Sequence, residues 1–294
     1  MRLILSNCLL LASVLTFAQV DLGYHLKKGQ EFKLSIETVQ NIEQDIMGQI
    51  NETEQSIKQG MQMKVLSKDG ENYRMSCEIY KIGWGLSSPM LGMEQSYDSE
   101  NPDPASPFAF MGKMVGQPFE FKMTQSGTVS DITGLEEIII AMVEGMELDE
   151  ASKQQTLLQL QDMMGEKSFK GSMDQVLQFF PGKKVSIGDT WINEADLVNY
   201  GIVMNNEFTL KELNKEQATV ELSSDITSEK TSQSMNGMDV EVEIGGKQSG
   251  TFVVDRKSGI LIEGTVIQEL EGSASTMGMN IPMKIKTTSN YKSE

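Results

Sequence analysis

The chain of 294 residues carries 25 Lys and Arg against 42 Asp and Glu, a net charge of −17, with one His and two Cys. That balance works against nucleic acid and anionic membrane surfaces as electrostatic partners. The scarcity of His and Cys excludes a clustered zinc-type site, and the length is ample for a core that needs no cross-links.

The first 18 residues, "MRLILSNCLLLASVLTFA", pair Arg2 with an apolar run that ends in small residues. This is the pattern of a secretory leader and is too short for a comfortable membrane span. Cleavage is expected after Ala18, leaving residues 19–294 as a single exported domain, periplasmic or extracellular. Asn7 is a poor neighbour for lipidation at Cys8, so no lipid anchor is expected. Cys8 leaves with the leader, and Cys77 is then a lone thiol read as a small buried hydrophobe.

Period-two alternation dominates residues 19–132. In "EFKLSIETVQNIEQDI", Phe32, Leu34, Ile36, Ile42 and Ile46 share one face, with Lys33, Ser35, Glu37, Asn41 and Glu43 on the other. "IKQGMQMKV" sets Ile57, Met61, Met63 and Val65 on one side, and "YRMSCEI" does so with Tyr73, Met75, Cys77 and Ile79. Between them Asp69-Gly70 predicts a hairpin turn, because glycine accepts a positive φ. Residues 87–108, rich in Pro, Ser and Asp, predict a long exposed loop or lid.

The period changes over 133–181. "GLEEIIIAMVEGM", "DEASKQQTLLQLQDMMG" and "SFKGSMDQVLQFF" are rich in good helix formers. Asp149 is the expected N-cap of the second segment and Gly165 its C-cap, while Pro181 closes the third. In "KKVSIGDTW" Val185 and Ile187 are expected to be buried, Gly188-Asp189 to turn, and Trp191 to pack on the sheet.

Alternation returns over 182–294 in "NNEFTLKEL", "ATVELSSDI", "MDVEVEI", "GTFVVD" and "GILIEGTVIQEL", with "NKEQ", "GGKQ" and "RKSG" as connections. The order strands, helices, strands predicts an α+β fold: a long, curved antiparallel sheet, half-barrel-like, covered by the central helical segment.

Catalytic chemistry finds little support. His25 stands alone near the expected mature terminus, no nucleophile-elbow glycine pattern surrounds a serine, and no phosphate-cradling loop occurs. The chain is therefore not expected to be an enzyme or to hold a cofactor. Its 21 methionines are the unusual feature. In "STMGMNIPMKI" the parity that holds Met277, Met279 and Met283 also holds Ile281 and Ile285. Isoleucine between methionines suits an apolar wall, not a Cu(I) thioether set, so no metal is expected. Met61, Met63, Met75, Met277, Met279, Ile281 and Met283 are the candidate lining of a groove for a lipid or other apolar molecule. The alternative is a structural or protein-interaction module with a solid core and no ligand; a protein partner is not legible.

Three stretches carry a resemblance: "YHLKKGQEFKLSIET", "FFPGKKVSIGDTW" and "GTFVVDRKSGILIEG". In this order they resemble a family of secreted Bacteroidota proteins of unknown function. The strand–helix–strand order is similar to lipoprotein-carrier folds of the LolA and LppX kind. That similarity implies a curved half-barrel with a lipid groove beneath helices, and implies no particular binding residues.

Overall fold

The computed structural model describes residues 19–197, 202–228, 231–235, 238–276 and 279–294. The expected leader and Met277 lie outside them. After the short β1 (Val20–Asp21), the first half forms β2 (Glu31–Ile46), β3 (Gln49–Asp69), β4 (Asn72–Ser88), β5 (Met93–Asp98), β6 (Pro118–Thr124) and β7 (Val129–Thr133). Helices α1 (Leu135–Glu144), α2 (Glu150–Met164) and α3 (Glu166–Leu177) follow. The second half forms β8 (Lys184–Val185), β9 (Thr190–Leu197), β10 (Ile202–Leu213), β11 (Gln217–Ser228), β12 (Thr231–Met235), β13 (Met238–Asp255), β14 (Leu261–Thr276) and β15 (Met279–Ser293).

The two halves make one antiparallel sheet in the order β7-β6-β4-β3-β2-β15-β14-β13-β11-β10-β9, with β5 added to β4 and β12 to β13. The first strand of one meander thus lies against the last strand of the other, β2 beside β15. The sheet curls until both of its edges reach α3. The Val129 N–H at the start of β7 donates to Asp174 Oδ1 on α3 at 2.8 Å. On the other edge, Trp191 Nε1 and Asn193 Nδ2 of β9 donate to the carbonyls of Phe179 and Gln178, just past the end of α3. The result is an open half-pipe whose edges are covered by a helix and its following turn, a protection against edge-to-edge pairing.

Alternation explains which side faces in. Leu34, Met61, Met63, Val65, Tyr73, Met75, Cys77, Phe119, Phe121 and Met123 are all buried, packing with Ile138, Met142, Met173 and Leu177 of the helices. Charged residues of the same strands face out and pair across them, as in Lys64–Glu31 at 2.7 Å and Arg74–Glu120 at 2.8 Å. Burial, and the Glu78 charge after it, pushes the Cys77 thiol far above its usual range, which keeps it an inert hydrophobe.

Curvature has a local cause on β13 and β14. Their inward pairs set glycine against bulk: Gly264 opposite Phe252, Gly250 opposite Val266, Gly246 opposite Leu270 and Gly272 opposite Ile244. A Cβ on Gly246 would lie 2.1 Å from the Glu269 carbonyl oxygen, and one on Gly272 the same distance from that of Glu243. Large side chains lie over bare backbone here, letting the strands bend toward each other.

Several details differ from the sequence reading. "GGKQ" is not a connection: residues 245–248 continue β13 as one 18-residue strand. Two glycines weaken strand propensity, but pairing on both sides carries the chain through. The loop expected over 87–108 contains β5, paired with the end of β4. Its remainder folds back so that Phe108 packs on Trp84 at 4.1 Å between ring centroids. Ile187 is exposed, not buried; Val185 alone of that pair enters the core. Asp149 caps α2 as expected, accepting from the Ser152 N–H at 2.9 Å.

Candidate functional site

The cross-strand register follows the inner face along the half-pipe. At one end, the proximal end, helices and the Phe179–Phe180 turn fill the interior. Tyr24, Phe180, Phe179 and Phe252 form a continuous aromatic stack there, with centroids 4.4–5.5 Å apart along it. The three sequence stretches noted above meet at this end. His25 N–H donates to the Ser258 carbonyl at 2.9 Å, and Gly259, with φ of +75°, packs so closely on Gly23 that a Cβ would clash at 2.3 Å. Their shared role is a structural corner.

Moving distally, one inward row is polar on seven adjacent strands. Asn206, Ser224, Gln248, Gln268, Thr287, Gln40 and Gln55 are direct cross-strand partners from β10 to β3. Gln248 Nε2 donates to Asn206 Oδ1 and Gln268 Nε2 to Gln248 Oε1, both at 2.8 Å, while Gln40 Nε2 donates to Thr287 Oγ1 at 3.2 Å. This belt separates two apolar regions.

Beyond the belt lies a second cluster made of sheet residues alone. Ala195, Met204, Ile226 and Leu270 are buried, and Ile202, Ile244 and Ile285 pack against them half-buried. No helical residue belongs to it. Ile281 and Met283 extend this face as half-buried residues, and Met279, 52 % exposed, ends it. The sheet therefore runs past its helical cover and leaves an apolar inner surface at its distal end.

From the row of Leu34 and Met61 to this distal end, no inward position among the described residues of β2–β4, β9–β11 or β13–β15 is Asp, Glu, Lys or Arg. In a chain of net charge −17, that is strong segregation. The charges stand outside: Lys286 pairs with Glu269 at 2.9 Å and Lys284 with Glu271 at 3.6 Å. A depression of about 350 Å³ beside these pairs is lined by Glu43, Asp45, Glu271 and Lys284 together with Ile50 and Met283. Near the proximal end, His25, Lys27, Lys28 and Lys257 line an open basic hollow of about 510 Å³.

The sequence-predicted groove residues thus divide into two groups. Met61, Met63 and Met75 are packed in the proximal core, each at 2 % exposure or less. Met279, Ile281 and Met283 stand together at the distal end on the same face; Met277 lies outside the described residues. The belt amides and the cluster on β9–β11 were not singled out by the sequence reading. Their signal was available as Gln and Asn at inward parity, in Gln40, Asn206, Gln248 and Gln268. No group of His, Cys, Asp and Glu able to hold a metal occurs among the described residues, and none of their helices is long and apolar enough to cross a membrane.

A curved, open antiparallel sheet, half filled by helices and without charged side chains on the described inner face toward its distal end, defines the structural class. The family of unknown function DUF6263 matches residues 70–261, and the chain belongs to that family. No curated protein matches the sequence. Among solved structures, one of lipovitellin that concerns its lipid–protein interactions superposes with a TM-score of 0.54 at 9 % identity. The match covers 91 % of this chain and 25 % of that one, so the chain spans about a quarter of lipovitellin, and the likeness is one of fold. An outer membrane channel from Pseudomonas putida F1 is similar only at a TM-score of 0.25 and 8 % identity, over 92 % of this chain and 98 % of that one.

Proposed function

We propose that the chain is an exported, non-catalytic binding protein that holds an apolar ligand bearing an uncharged polar group in the distal part of the half-pipe. The observation that carries this reading is the charge-free inner face beyond the helices. An ionised head group placed there would lose water and find no counter-ion, a cost of several kcal/mol (order of magnitude). Side-chain amides and hydroxyls instead offer neutral donors and acceptors at the belt, while Ile244, Ile281, Met283 and Ile285 offer a wall for a hydrocarbon chain. Methionine tolerates chains of varied shape. The leader-like residues 1–18 support export. The fold likeness to lipovitellin, with its lipid–protein interactions, agrees with it, as does the resemblance to lipoprotein carriers.

The test uses a fluorescent monoacylglycerol and the matching free fatty acid at alkaline pH. The neutral probe should bind, and the ionised one should bind at least about tenfold more weakly. Met283→Asp with Ile285→Asp should abolish binding while leaving the thermal melt within a few degrees, because both sites are half-buried. A folded double variant with unchanged affinity overturns the reading. The full burial of Met61, Met63 and Met75 favours a second reading, an interaction module with a solid core. Native mass spectrometry of protein taken from its source separates the two: retained lipid appears as added mass, and a ligand-free module shows none.

A further inference from the structure

We propose that the distal rim of the half-pipe is a membrane-docking edge that inserts into the interfacial zone of an uncharged phospholipid bilayer. Its described part on β2, β3 and β4 comes to one level. Ser88 at the end of β4 donates to Asn51 Oδ1 on β3 at 3.2 Å, and Asn51 pairs with Gln44 on β2, which pairs with Met283 on β15. Just past this row stand Met47, Ile50, Met90, Leu91 and Met279, exposed by 93, 56, 50, 58 and 52 %.

Met47 breaks two rules at once. The β2–β3 hairpin closes through two residues between Ile46 and Gln49, with φ of +57° at Met47 and +85° at Gly48. Two positive φ values in a two-residue loop select Asn-Gly or Asp-Gly, because a β-carbon at the first position is strained. Asp45 Oδ1 accepts the Gly48 N–H at 2.7 Å and holds the turn. A methionine here is unfavourable for the backbone, and its side chain touches almost nothing. Strain and exposure at one residue point to a role outside the folded chain. The neighbouring connection repeats the composition: no residue of the 3₁₀ turn Pro89–Leu91 is buried, and Gly92 with φ of +61° follows it.

A lipid surface fits this rim better than a protein partner does. The apolar side chains come from three separate segments, the β2–β3 hairpin, the Pro89–Leu91 turn and the start of β15, so a rigid partner would need a surface matched to all three. A fluid interface needs no such match, and flexible thioethers adapt to it. The charge of −17, with Asp45 and Glu52 close behind the tips, points away from anionic lipid and toward an uncharged bilayer. Docking here would set the open apolar face of the half-pipe against the membrane.

The experiment is flotation with phosphatidylcholine vesicles. Wild-type protein should float, with little dependence on salt, and added anionic lipid should weaken binding at low ionic strength. Met47→Asn removes the apolar tip and places a residue that tolerates positive φ, so it should lower vesicle binding about tenfold and leave the melting temperature equal or higher. Met47→Asn with Leu91→Ser should abolish flotation while the neutral probe in detergent-free solution still binds, separating the rim from the interior site. Wild-type protein that fails to float on uncharged vesicles overturns the proposal. So does full binding by the folded double variant. A concentration-dependent dimer lost in Met47→Asn, without vesicle binding, overturns it in favour of contact between copies of this chain.

Discussion

The two ends of the half-pipe share strands, pleat and alternation, yet they bury methionine in opposite ways. Met63 on β3 is fully enclosed beneath the helices. Met283 on β15, at an inward position of the same sheet, is half-buried with no helix over it. Parity alone does not make a core. A face becomes interior only where a second layer covers it, and here three helices of 10, 15 and 12 residues are too few to cover strands as long as 21 residues. At 1.5 Å per helical residue against about 3.3 Å per strand residue, the mismatch follows from geometry.

The sharpest way to break this comparison is to truncate one methionine at each end. Met63→Ala should cost about 2–5 kcal/mol, because a close-packed core cannot collapse around the lost volume. Met283→Ala should cost less than about 1 kcal/mol, as expected for a site still open to water. Urea denaturation of both variants measures the difference. Equal losses would mean that the distal end is as solid as the proximal one.

Curvature offers the second test, since the bend at β13 and β14 is what gives the distal end an inside. Gly246→Val places a side chain against the Glu269 carbonyl, where even a Cβ would approach to 2.1 Å. The strands must separate, at a cost of about 1–3 kcal/mol. The same variant should weaken neutral-probe binding, because Gly246 is the inward partner of Leu270 in the sheet-only cluster. A stability loss without a binding loss would place the ligand elsewhere.

Much of this was legible in the residues. Strict alternation in 31–46 gave β2 with both its ends, and the Leu, Gln and Glu content of 149–165 gave α2 with its Asp149 cap. What parity could not reveal was depth along the strand. Met61 and Met279 look alike in a pattern of alternating faces, and only the placement of the helices distinguishes a core residue from one at an open rim. Gly245-Gly246 misled for a related reason: paired glycines mark turns in isolated strands, whereas here they relieve crowding in a bent one. The amide belt needed the register of seven strands before its members became neighbours.

The smallest expected effect concerns pH and belongs to the proximal corner alone. Burial works against ionisation of Asp255, but the Ser258 hydroxyl and backbone N–H hold its carboxyl below the usual carboxylate range. Those bonds are 2.6 and 2.8 Å long, and they fix the turn whose Ser258 carbonyl receives the His25 N–H. Because the folded-state pKa is lowered, the stabilisation is present above the unfolded value, near 3.9, and is lost as pH falls through the folded one. Melting temperature should therefore decline as pH drops below about 4, and Asp255→Asn should start lower and decline less steeply. The exposed Lys286–Glu269 and Lys284–Glu271 pairs outside the distal sheet contribute little. Hydrogen exchange across the same range should then show residues 23–26 and 255–260 opening first, with β14 and β15 still protected at their distal ends. Distal opening ahead of the corner would show that the open end, and not this turn, sets the acid limit of the fold.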